Sequence, residues 1–198
     1  TDGVYDPYQP SAIDIPGSAP HPTALAESVS MAAVTSTYPT CTVKLPARIL
    51  QEGLASQAQL EALIYATAAH SQLLDTKWRI SEHKSVVFAN GDDVDGRYHR
   101  QGYFIGDSTG VGKGVEAALI ILSNWCEGRK RAIWISKNEP LIEDARRDWA
   151  RLGGNAEQVV ALSKFKLGEP IKLTQGILFV TFGGLRTGAK GTKKSRVE

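Results

Sequence analysis

Apolar residues follow two regimes along this 198-residue chain. Over residues 1–50 they are scattered among Pro, Ser, Thr and Ala, and beyond Ser56 they recur with regular periods. The first regime predicts an extended arm over 1–50, interrupted by one short helix at TALAESVSMAAV, capped by Thr23. In SQAQLEALIYATAAHSQLL, Leu60, Leu63, Ile64 and Leu74 fall on a helical period behind Ser56 as cap. SVVFA and YHRQGYFI flank the turn signal NGDD at Asn90–Asp93, which predicts a hairpin. Alternation follows: a strand in GYFIGD, a helix over Lys113–Glu127 ended near Gly128, and a strand in RAIWIS. NEPLIEDARRDWARLGG predicts a helix capped near Asn138, with Pro140 in its first turn. Leu141, Ala145, Trp149 and Leu152 share one face of it, and Gly153 and Gly154 stop it. QVVAL and GILFVTF read as further strands, with Trp134 and Phe179 as core residues. Apolar strands alternating with helices predict an α/β fold with a mostly parallel sheet covered on both faces.

Composition changes this picture little. Hydrophobic residues make up 42% and charged residues 22%, as in an ordinary globular domain. A net charge of +2 excludes a uniformly basic nucleic-acid binder, so any such contact must come from local patches. Arg129, Lys130 and Arg131 read as a solvated loop. Arg186, Lys190, Lys193, Lys194 and Arg196 follow the last strand and are candidates for nucleic-acid phosphate contact, or else a basic end. Cys41 and Cys126 show no metal-ligand spacing, and Cys126 beside Trp125 reads as a small buried hydrophobe. Asp92, Asp93 and Asp95 do not complete a calcium loop. His21 reads as a local contact within the arm. No apolar run approaches a membrane span, which makes a cytoplasmic location the expectation.

The stretch that carries chemistry is GDSTGVGKGVEAALIIL, from Gly106 to Leu122. A polyphosphate needs several converging backbone N–H groups, a helix-dipole end and a cation. Gly110 and Gly112 permit close backbone approach, Lys113 supplies the cation for the β- and γ-phosphates, and the predicted strand Tyr103–Ile105 and following helix supply the frame. Asp107, Ser108, Thr109, Gly110, Val111, Gly112, Lys113 and Gly114 are therefore the candidate nucleotide-binding loop. The strict pattern G-x-x-x-x-G-K-[ST] fails at two positions. Asp107 stands where the first Gly belongs, and Gly114 stands where a hydroxyl residue usually helps to hold Mg²⁺.

The x-x-T-G-x-G-K form resembles the loops of superfamily two helicases. LASQAQLEAL (Leu54–Leu63) resembles their upstream glutamine motif, which implies Gln59 as the adenine reader. RAIWIS with LIEDARRDW resembles motif Ia, and GILFVTFGGLR (Gly176–Arg186) resembles motifs Ib and Ic. Together with PGSAPHPTALAESVSMAAV, QAQLEALIYA, GYFIGDSTGVGKG and GRKRAIWIS, in this order, the chain resembles the strawberry notch family over most of residues 16–197, in its bacterial and phage form. That family tolerates Gly after the loop lysine. The resemblance implies a three-layer, RecA-like P-loop domain over 51–198 behind the arm, ATP and Mg²⁺ as cofactors, Lys113 as the catalytic cation, and DNA as a partner. It also implies a fused or associated DNA methylase-like domain. The carboxylate motif II of such motors does not occur before Glu198. The expectation is therefore an ATP-binding part of a helicase-like, DNA-remodelling NTPase that does not hydrolyse ATP effectively alone. The alternative is a nucleotide-dependent protein-interaction module in transcriptional or chromatin regulation. A small-molecule kinase is disfavoured by the missing hydroxyl after Lys113.

Overall fold

The computed structural model describes residues 4–10, 13–34, 36–80, 87–89, 95–166 and 169–186. In the arm, β1 (Tyr5–Pro7) pairs antiparallel with β2 (Ala26–Ser28), and α1 (Val29–Ala32) follows, capped by the Ser28 side chain. The expected helix from Thr23 is thus displaced by five residues. The Thr23 hydroxyl and amide instead meet His21 Nδ1, at 3.0 and 3.2 Å, in a local turn that uses up the cap. The arm is tied to the body by a parallel bridge between Ala19 and Ser56, where Gln57 N–H donates to the Ala19 carbonyl at 2.8 Å. Then α2 (Arg48–Gln51) inserts Ile49, fully buried, into the main core.

Helix α3 (Gln57–Ser71) starts at a complete capping box. Ser56 accepts from Gln59 N–H, and the Gln59 side chain accepts from Ser56 N–H. It ends before Leu74, which belongs to β3 (Leu73–Ile80) and not to the helical period. The expected hairpin is also rearranged. β4 (Val87–Ala89) and β5 (Arg97–Arg100) both pair antiparallel with β3, giving the order β4-β3-β5. The stretch Leu73–Ile80 lies between them because its own eight residues are extended, which the helical reading of Leu74 concealed. Asn90–Asp93 lie outside the described residues.

The central unit consists of α4 (Lys113–Cys126), β6 (Arg131–Ser136), α5 (Ile142–Arg151) after a short 3₁₀ turn over Glu139–Leu141, β7 (Val159–Ala161), β8 (Gly176–Thr181) and α6 (Phe182–Leu185). The sheet is parallel, in the order β6-β8-β7. On one face Ala132, Trp134, Ile177 and Phe179 meet Leu63, Leu119, Ala145 and Trp149 from α3, α4 and α5, forming one core. The other face holds a smaller cluster, Leu178 and Val180 against Leu162, Phe165, Leu173 and Leu185. Ile133 and Ile135, on that face of β6, are 67% and 48% exposed, so the sheet is not fully covered on both sides among the described residues. Tyr103–Ile105 form no strand: backbone from Gln101 to Ser108 is irregular and Phe104 is 87% exposed. Cys126 also departs from expectation and is exposed at the end of α4.

This α/β architecture, with a parallel sheet and a glycine-rich loop opening a helix, is consistent with a RecA-like P-loop fold. Among the described residues no helix is long and apolar enough to cross a membrane.

Candidate nucleotide site

The loop ahead of α4 turns on two glycines with positive φ, Gly110 at 103° and Gly112 at 95°. L side chains rarely adopt this backbone, and a Cβ on Gly112 would also collide with the Gln59 side-chain amide. Gly112 is the cap of α4. Its carbonyl accepts from Val115 N–H at 2.8 Å and Glu116 N–H at 3.2 Å, so the amides of Gly112, Lys113 and Gly114 precede the first intrahelical bonds. They lie at the positive end of a 14-residue helix dipole.

Lys113 is exposed, and its Nζ donates to the carbonyls of Asp107 at 2.8 Å and Ser108 at 3.0 Å. The ammonium group therefore closes the loop on itself, beside the helix mouth. Ser108 and Thr109 are exposed at the tip of the turn. Gln59 is buried and bridges two elements. Its Oε1 accepts from Ser56 N–H at 3.0 Å, and its Nε2 donates to the Val111 carbonyl at 2.8 Å. One side chain thus caps α3 and holds the glycine-rich loop.

A cavity of about 580 Å³ opens beside this loop. Gly110, Val111, Gly112 and Gly114 line one side, Gln59 and Ser56 another, and Pro20, His21, Pro22 and Thr23 of the arm a third. The fourth wall is α5, through Asp144, Arg147, Asp148 and Arg151. The sequence reading assigned neither the arm nor α5 to the site. The spacing of Asp144 and Asp148, four residues apart on one helix, was the available signal for the latter. Arg147 pairs well with Asp144, at 2.7 Å, and only loosely with Asp148 Oδ1, at 3.5 Å. A Cβ built on Gly114 would overlap Asp148 Oδ2 and lie 3.3 Å from its Cγ. Burial raises the Asp148 carboxyl above its ordinary range, against the opposing pull of the Arg147 charge.

A second carboxylate was also missed. Glu116, on the first turn of α4, is wholly inaccessible, and its two oxygens have no hydrogen-bond donor. Burial, and then the facing Asp107 charge, push its pKa up to about 8, while Lys113 pulls the other way. Burial without a donor thus favours the neutral form of this carboxyl. A charged residue three positions before Leu119 on the apolar stripe of α4 was the sequence signal.

Of the candidate nucleic-acid residues, Arg186 is exposed just after α6, while Lys190, Lys193 and Lys194 lie outside the described residues. Arg129 pairs with Glu127 and donates to Asn124 Oδ1 at 2.6 Å, in keeping with a solvated loop.

The sequence profile of the P-loop containing NTP hydrolase pore-1 family matches residues 20–198. The chain belongs to this family. It is similar to the strawberry notch homolog of Caenorhabditis elegans (31% identity over 98% of the chain), to Protein strawberry notch of Drosophila melanogaster (33% over 92%) and to human strawberry notch homolog 2 (34% over 92%). The chain spans only about a tenth of the length of these relatives, 9%, 10% and 11% respectively. No solved structure matches it. The strawberry notch resemblance read from the sequence holds across nearly the whole chain.

Proposed function

We propose that this domain binds ATP with Mg²⁺ and forms the ATP-binding portion of a helicase-like, DNA-remodelling NTPase. The observation that carries the reading is the joint placement of Gly110, Val111, Gly112 and Gly114 at the mouth of α4 on one cavity, with the Lys113 ammonium held by the Asp107 and Ser108 carbonyls of the same loop. The helix mouth also suits an anion, because the amides of Gly112, Lys113 and Gly114 precede the first intrahelical bonds and the space beside Gly110 is open. Lys113 releases the Asp107 and Ser108 carbonyls and turns to the β- and γ-phosphates. The amides of Gly112, Lys113 and Gly114 hold the phosphate oxygens, with Asp107, Ser108, Thr109, Gly110 and Val111 shaping the turn. Gln59 contacts adenine from the cavity wall, and its bond to Val111 couples that contact to the shape of the loop. Bound Mg²⁺ supplies charge neutralisation between the phosphates. Arg186, with Lys190, Lys193 and Lys194, contacts a DNA backbone, which makes DNA binding fall with salt.

The test is Lys113→Ala. Calorimetry is expected to show ATP binding lost, while circular dichroism stays that of the wild type. An ATP affinity equal to that of the wild type refutes the assignment. DNA binding is checked separately, by a salt titration of the wild type and of Arg186→Ala.

A further inference from the structure

Gly114 leaves the loop without the hydroxyl that normally meets the nucleotide's metal ion, yet the space beside its Cα is not empty. An oxygen from another helix fills it: Asp148 Oδ2 lies inside the volume that a Cβ at position 114 would need. A serine or threonine there would have to displace this carboxylate, so the space beside Gly114 is held by an oxygen carried on α5. The Asp148 side chain is only 13% exposed, it forms a wall of the same cavity as the loop, and its contact with Arg147 runs through the other oxygen at 3.5 Å. Arg147 is committed to Asp144 at 2.7 Å. A carboxylate this close to a triphosphate repels it unless a cation stands between them. Among the described residues no three His, Cys, Asp or Glu side chains could hold a metal alone, so a cation here would take its remaining ligands from phosphate and water, as Mg²⁺ prefers.

We propose that Asp148 takes the place of the missing P-loop hydroxyl and is the protein oxygen that holds the divalent cation of a bound Mg²⁺–nucleoside triphosphate. This rests on the nucleotide reading given above. Two consequences follow. Metal-free ATP is disfavoured by Asp148, so affinity depends on the cation more steeply than in a loop with a neutral hydroxyl. Gly114 is required not for backbone freedom but to leave room for the carboxylate.

The experiment measures ATP affinity by calorimetry in Mg²⁺ and in EDTA, for the wild type, Asp148→Asn, Asp148→Ala and Gly114→Ser/Asp148→Ala. Wild-type affinity is expected to drop about tenfold or more in EDTA, and Asp148→Asn to bring the two affinities within about twofold of each other. In the double variant, the serine hydroxyl enters the vacated space and restores the preference for Mg²⁺. As an independent readout, Mn²⁺ with ATP gives a protein-bound electron paramagnetic resonance signal in the wild type and the double variant, weakened in Asp148→Asn. The proposal is overturned if Asp148→Asn and Asp148→Ala keep the wild-type Mg²⁺/EDTA ratio. It is equally overturned if a folded double variant binds ATP with no metal preference. A wild type that binds ATP in neither buffer overturns the nucleotide reading itself, and this inference with it.

Discussion

The two ends of the glycine-rich loop are built very differently. Its exit, α4, is held between α3 and α5, with Val115, Ala118, Leu119 and Leu122 all buried in the main core. Its entry, Tyr103–Ile105, is equally apolar in sequence yet forms no strand and leaves Phe104 in solvent. The contrast follows from where each element finds its hydrogen bonds. A helix satisfies its backbone within itself, so an apolar stripe and a cap are enough to dock it. A strand needs neighbours on its edges, and its preference is mainly a preference for a half-buried, paired surface. None of the three parallel strands pairs with Tyr103–Ile105. The rigidity of the site therefore comes from α3, α4 and α5, not from the sheet leading into the loop.

That comparison is tested most severely at Trp149. It is 1% exposed, its Nε1 donates to Gln158 Oε1 at 3.0 Å, and its ring sits 5.3 Å from that of Trp125. Trp149→Ala should cost about 3–5 kcal/mol in urea denaturation. A loss under about 1 kcal/mol would show that the helical side is not the anchor. Gly112→Ala should cost less, about 1–3 kcal/mol, because it forces an L side chain to φ near 95° against Gln59. The same variant should release the bond from Gln59 to Val111 and weaken ATP binding in calorimetry. Unchanged stability together with unchanged affinity would mean the loop is free to adopt another shape.

The same contrast explains what could be read from sequence. The cap at Ser56, the helix from Lys113, the helix after Pro140 and the strands RAIWIS and GILFVTF are local signals, and each of these elements forms where its residues placed it. Contacts between distant positions were not legible. Gln59 meets Val111 across 52 residues, and Asp148 meets Gly114 across nearly all of α4, β6 and most of α5. No single period encodes either contact. The strand at Tyr103–Ile105 failed for the complementary reason, since alternation alone says nothing about whether a partner edge is present. The hairpin failed because three extended segments competed for the same pairing, and β3 took both neighbours.

Glu116 offers a smaller effect with a definite sign. Its folded pKa of about 8 lies above the ordinary 4.5, so the folded state holds the proton more tightly than the unfolded chain does. Stability should therefore decline as pH rises from about 4.5 to about 8 and level off beyond, with Asp107 and Lys113 as the charges facing the group. Glu116→Gln cannot ionise, so that decline should flatten, and the variant should match or exceed wild-type stability near pH 8. Denaturation midpoints across this range measure it, and an unchanged slope would mean that Glu116 is solvated in solution.

The smallest expected effect bears most directly on the loop's entry. Phe104→Ser removes a large apolar side chain that is already in water, so stability should change by less than about 0.5 kcal/mol in urea. The comparison sharpens if Tyr103→Ser, at a side chain 38% exposed, costs somewhat more than Phe104→Ser. It breaks if Phe104→Ser costs as much as a core truncation. That result would place Tyr103–Ile105 against apolar surface in solution, and the open flank of β6, where Ile133 and Ile135 are exposed, is where such a strand would find both its hydrogen bonds and its cover.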